Sequence, residues 1–127
     1  MYQVEADTDK NRLYIKIGKV SEQDDKESLI REIEHQIRNL KKGFDCITDL
    51  REYDVQPDET EAFIYRAQKI LSESGMSNVV RVVKRFGSFA HFQFDKVSVS
   101  IGYHAQNANS IEEAEEMLDA KRNNQSE

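Results

Sequence analysis

The residues able to do chemistry in this 127-residue chain are few and scattered. Its three histidines, His35, His91 and His104, have no cysteine or second histidine at ligand spacing beside them. Two lone imidazoles such as His91 and His104 do not make a zinc site, which needs three or four protein donors. His35 falls in the polar register of a helical stretch and reads as a solvated side chain. Cys46 is the only cysteine. It sits in the apolar run Phe44 to Leu50, where a thiol is more often a small core residue than a nucleophile. No Gly-x-Gly-x-x-Gly, Walker-type phosphate loop or Gly-x-Ser-x-Gly elbow occurs, which removes the commonest nucleotide-binding and acyl-transfer chemistries. No catalytic, metal or cofactor site is therefore expected. A convergent polar set would have to be assembled from Asp49, Lys84, Arg85 and His104.

The charged residues divide in the same way. The acidic runs Glu22 to Glu27 and Glu112 to Glu116 have helical spacing and read as solvated helix faces, since general acid–base work needs a cleft that perturbs the carboxyl groups. The short basic cluster Arg81, Lys84 and Arg85 reads as a solvated strand end rather than an anion site. Asp49 stands out, because it falls near the carboxyl end of an expected central strand, the edge where open α/β sheets bind ligands and partners. The alternative is that Asp49 only hydrogen-bonds the loop that follows it. Further on, Asp58, Glu59 and Thr60 open a helix whose free amides and positive dipole end would suit a phosphate on Thr60, were it not for the two neighbouring carboxylates. Asp58 with Glu61 makes a capping box, which needs no phosphate.

The elements that position these residues follow from periodicity. Tyr2 to Ala6, the polar turn Asp7 to Asn11, and the alternating Leu13, Ile15 and Ile17 predict a β-hairpin with one buried face. Leu29, Ile30, Ile33, Ile37 and Leu40 recur at three- and four-residue spacing and predict an amphipathic helix ending in Lys41-Lys42-Gly43, with cations in its last turn and glycine beyond it. Phe44 to Leu50 predicts a central strand, followed by the loop Arg51 to Pro57. Phe63, Ile64, Ala67, Ile70 and Leu71 form the stripe of a second helix closed by Gly75. Val79 to Val83 predicts another central strand, covered on both faces. Ser88 to Ile101 fits a strand through Phe92, Phe94, Val97, Val99 and Ile101 and a helix through Ala90, Phe94, Val97 and Ile101. Gly102 to Ala105 reads as a short edge strand, and the capping box Ser110 to Glu113 opens a last helix through Ala114, Met117 and Leu118. The tail from Lys121 is expected to fray.

Composition sets the limits. With 38% hydrophobic and 33% charged residues the chain is globular, and one α/β domain is expected over residues 1–122, with 123–127 as a polar tail. A net charge of -6 argues against binding DNA or RNA through backbone phosphates. No segment approaches the eighteen or so apolar residues of a membrane span, and the N-terminus lacks a basic region followed by an apolar stretch. A cytoplasmic location is expected, and the single cysteine fits a reducing compartment.

The order and spacing of Leu13 to Ser21, Gly43-Phe44, Ile47-Thr48-Asp49-Leu50-Arg51, Ala67 to Leu71, Gly75, Val79 to Val83 and Ser110 to Glu115 resemble the SpoIIAA-like branch of the STAS superfamily over almost the full chain. The resemblance implies a mixed sheet of four to five strands flanked by about four helices, and a helix for the segment around Phe92 to Val99, with Gly102 to Ala105 as the last strand. It also implies a regulator or binding module rather than an enzyme, in a class that includes anti-sigma factor antagonists and lipid-carrier-like relatives. The antagonists carry Asp-Ser-Ser-Gly where the second long helix begins, and a kinase phosphorylates a serine there. The corresponding residues here are Pro57-Asp58-Glu59-Thr60, with neither serine nor glycine. The expected function is thus recognition of a protein partner through Asp49, Arg51, Tyr53, Asp58, Glu59 and Thr60, without the usual phosphoserine switch. A homodimer remains open. So does a carrier holding a small apolar or lipid-like ligand against Phe86, Phe92 and Phe94.

Overall fold

The structure, a computed structural model, describes residues 2–18, 23–53, 60–84 and 105–125. These form an α/β arrangement of a five-stranded mixed sheet and three helices. Strand β1 (Tyr2–Asp7) and β2 (Arg12–Ile17) make the expected hairpin. Its turn is fixed locally: Asp7 Oδ1 accepts the amides of Asp9 and Lys10 at 3.0 and 3.1 Å, and Asn11 takes φ 53°, a left-handed conformation that asparagine tolerates.

Helix α1 (Gln23–Ile37) buries Leu29, Ile30 and Ile33. It ends earlier than its apolar spacing suggests, so Lys41 and Lys42 lie beyond it and its last turn carries His35 instead. The cause is competition for the backbone. The Asn39 and Leu40 amides turn back three residues, to Gln36 and Ile37, and Asn11 binds both the amide and the carbonyl of Lys41. Strand β3 (Asp45–Asp49) follows, with every residue buried. Helix α2 (Thr60–Glu73) closes in a Schellman motif, with the Met76 amide on the Leu71 carbonyl and the Gly75 amide on that of Ser72. Gly75 needs φ 97°, and a Cβ there would meet Lys42 Cγ at 3.0 Å. Its carbonyl accepts the Gly43 amide at 2.7 Å, which joins the two elbows leading into β3 and β4.

Strand β4 (Asn78–Val82) is the second central strand. The last strand, β5, is Gln106–Ala108, so Ala105 precedes it and the edge strand placed at Gly102 to Ala105 is corrected toward the C-terminus. Gln-Asn-Ala has no β-forming side chain to announce it; Val80, Arg81 and Val82 of β4 supply the ladder. Gly102 to His104 and Ser88 to Ile101 lie outside the described residues. Helix α3 (Ile111–Gln125) begins at Ser110, whose Oγ accepts the Glu113 amide at 3.1 Å, and it continues through Lys121 to Gln125.

The strands run in the order β1-β2-β3-β4-β5, antiparallel at the hairpin and parallel thereafter. Right-handed crossovers that always step the same way along a sheet put their helices on one face. Accordingly α1 and α2 share a face, over Leu13, Ile15, Ile17, Cys46 and Val79. Helix α3, which follows β5, covers Ile47, Val80 and Val82 on the opposite face.

Candidate functional site

Asp49 stands at the carboxyl end of β3, as expected, and is 6% exposed. Its Oδ1 accepts the Arg51 backbone amide at 3.1 Å and the Arg51 Nε at 2.9 Å, and its Oδ2 accepts the Arg51 guanidinium at 2.9 Å. This is a two-pronged fork clamped by a turn of two residues, the loop-bonding alternative for Asp49 realised in full. Burial alone would raise the Asp49 pKa, but the Arg51 hydrogen bonds, reinforced by the field of Lys16, hold it below the ordinary carboxylate value. Beside the fork, Lys16 of β2 and Glu52 stand 3.5 Å apart with both side chains well exposed. Tyr53 donates its amide to the Leu50 carbonyl and packs on the larger apolar cluster.

The fork borders a cleft of about 250 Å³ on the α3 side of the sheet. Helix α3 packs on β3, β4 and β5 and reaches the hairpin only through Glu115 and Asp119, so among the described residues none of its backbone covers the Gln3, Glu5 and Lys16 end of that face. Ile47 and Ile111 make the apolar floor, Tyr14 and Lys16 a wall, and Gln3 and Glu5 of β1 the far rim. The chemistry on offer is recognition: fixed charges of both signs around a small apolar seat.

Of the residues singled out from sequence, Asp49 and Arg51 are brought together here, whereas Tyr53, two residues on, packs on the cluster under α1 and α2. Thr60 opens α2, while Asp58 and Glu59 lie outside the described residues, as do Arg85, Phe86, His91, Phe92, Phe94 and His104. His35 and Lys84 are exposed. Among the described residues no group of three or more His, Cys, Asp or Glu side chains is placed to hold a metal ion, and no helix is long and apolar enough to cross a membrane. Cys46 is fully buried, and burial pushes its thiol up to about 12.

Two sequence readings are corrected. Arg81 is not a solvated strand end: it is 1% exposed in the middle of β4, alternating with Val80 and Val82 and so facing α1 and α2 beside Thr48. Glu115 is not a solvated helix face either. It accepts Lys10 at 2.8 Å, the fully buried Arg12 at 3.0 Å and the Tyr14 hydroxyl. Arg12 also meets Asp119 at 3.0 Å and Asp45 at 3.6 Å, and Arg122 reaches back to Asp45 at 3.0 Å. Sequence reasoning missed Arg12 and Tyr14 altogether. The one signal was an arginine and a tyrosine in the outward register of a strand whose other face is apolar.

In comparisons with protein-family models, curated proteins and solved structures, nothing matched this chain.

Proposed function

We propose that the chain is a non-enzymatic, STAS-like regulatory or scaffolding domain of the cytoplasm that binds a protein partner at the carboxyl edge of its sheet, without a phosphoserine switch. The cleft flanked by the Asp49–Arg51 fork carries this reading. At about 250 Å³ it falls below the roughly 300–1,000 Å³ of most small-molecule and cofactor sites, and it suits one apolar side chain presented by a partner. The charges around it favour the same conclusion. An Asp49 carboxylate occupied by three Arg51 donors is poorly placed to take up a proton from substrate, but it holds Arg51 in one orientation for recognition. The STAS-like assignment draws on the sequence resemblance, and a hairpin followed by successive parallel βα units suits it.

Affinity capture from native lysate with the wild-type chain and with Lys16→Glu and Arg51→Ala variants tests this reading. One protein retained by the wild type should be lost by at least about tenfold in both variants, because truncating a central charged anchor of an interface costs about 2 kcal/mol or more. A Lys69→Glu control on the outer side of α2 should retain it, and circular dichroism should show all chains equally folded. Capture that ignores Lys16 and Arg51 would sink the proposal.

A further inference from the structure

Among the described residues the two edges of the sheet, β1 and β5, are unequal. Strand β5 spans three residues and is blunted by its brevity, whereas β1 runs for six residues in unbroken antiparallel register with β2. Tyr-Gln-Val-Glu-Ala-Asp contains no proline and no lysine, and its register contains no bulge. Those are among the devices that keep an edge strand from pairing with another chain; the strand's charges, Glu5 and Asp7, restrict which register can pair. One hydrogen bond locates the open side of the ladder. The Ala6 amide donates to Gln36 Oε1 at 3.3 Å and so points away from β2. Backbone groups alternate in direction along an antiparallel strand, so those of Tyr2 and Val4 point outward with it. Gln36, held by Glu32 at 2.9 Å, guards the Ala6 amide alone.

We propose that β1 pairs with β1 of a second copy of this chain, antiparallel about a two-fold axis at Val4, joining two five-stranded sheets into one. Symmetry requires each residue to face its mirror position across such an axis, and charge then selects the register. An axis at Glu5 sets that carboxylate against itself, and an axis at Ala6 sets Glu5 against Asp7; like charges directly opposite destabilise a sheet. An axis at Tyr2 or Gln3 leaves much of the strand unpaired. The axis at Val4 sets Gln3 opposite Glu5 of the second copy, an amide against a carboxylate, and Tyr2 opposite Ala6. Val4 exchanges both backbone bonds with Val4 of the second copy. Tyr2 and Ala6 of the second copy likewise exchange both backbone bonds, so the Ala6 amide leaves Gln36 Oε1 for the Tyr2 carbonyl across the axis. The occupant is the chain itself, so the inference stands independently of the partner proposed above, although it brings two clefts to either side of the axis through Gln3 and Glu5.

Sedimentation equilibrium of the full chain from micromolar to millimolar concentration tests this. A monomer–dimer equilibrium is expected. Gln3→Glu, which creates two like-charge pairs across the axis, should weaken it by about two- to thirtyfold, and Gln3→Lys should tighten it by a similar factor. Combining Gln3→Glu with Glu5→Lys should restore it. Gln3 and Glu5 are both exposed, so none of these variants disturbs the core. Val4→Pro removes the central outward amide at a position where an edge strand tolerates proline, and it should abolish the dimer. A chain that stays monomeric throughout overturns the proposal, and so does a dimer indifferent to the charge at position 3.

Discussion

On the face of the sheet under α1 and α2, Leu13, Ile15, Cys46 and Val79 meet Leu29, Ile30, Ile33 and Ile64 in one continuous apolar cluster. On the face under α3, the apolar cluster formed by the described residues is far smaller, and among them the helix contributes only Ala114 and Leu118 as buried members. What α3 lacks in apolar area it replaces with charge: Glu115 and Asp119 grip Arg12, and Arg122 grips Asp45 and the Asn11 carbonyl. Apolar burial contributes about 1.5–3 kcal/mol per large side chain and is indifferent to pH, whereas ion pairs depend on geometry, protonation and salt. One face is therefore the permanent core. The other is a helix fastened by a polar network, and it should be the first part of the molecule to open.

That contrast can be broken at its strongest point first. Leu29→Ala, at a fully buried position, should lower the unfolding free energy by about 3–4 kcal/mol in urea titration, with one transition for the whole molecule. A loss below about 1 kcal/mol would mean that the face under α1 is not the principal core.

Arg12→Ala should cost somewhat less, about 3 kcal/mol, because Asp45 keeps Arg122 and Asp119 is already half in water. The loss should be local. Amide exchange should accelerate in α3 well before it does in α1 or α2, and equal acceleration everywhere would erase the distinction between the faces.

The smallest effect sharpens the comparison through pH. Burial opposes the charge of Glu115, but Lys10, Tyr14 and Arg12 hold its pKa below the ordinary 4.5, and Arg51 holds that of Asp49 below 3.8. A carboxylate whose pKa is lower in the folded state contributes stability that is complete above the ordinary value and is lost as pH falls through the folded one. Both groups lie on the α3 side, so acidification below about pH 4 should loosen α3 first. At the alkaline end both faces respond. Tyr14, raised from 10.0 to about 12, and Cys46, raised from 9.0 to about 12, contribute stability that is complete below their ordinary values and is lost as pH rises toward 12. Amide exchange and near-ultraviolet circular dichroism across the pH range would check both limbs.

The permanent core was legible in the sequence because its signal is local. Leu29, Ile30 and Ile33, or Phe63, Ile64 and Leu71, announce a helix face by spacing alone, and Leu13, Ile15 and Ile17 announce a strand face. The carboxyl-edge position of Asp49 and Arg51 followed from the same strand. The polar network was not legible, because Arg12 and Glu115 are 103 residues apart and nothing local marks them as partners. Arg81 misled for a related reason. Its cationic neighbours Lys84 and Arg85 suggest a solvated end, whereas its burial is decided by β3, β5 and the helices that the fold brings over it. The early end of α1 depends on Asn11, thirty residues upstream of the Lys41 backbone that it captures.

Cys46 gives the comparison an internal clock. It is the chain's only thiol and is 0% exposed in the cluster under α1 and α2, on the face that α3 does not touch. A thiol reagent added to the unmodified protein can react only when that apolar face comes apart. Detachment of α3 leaves the sulfur covered, so the labelling rate times the opening of the permanent core alone, with no probe introduced.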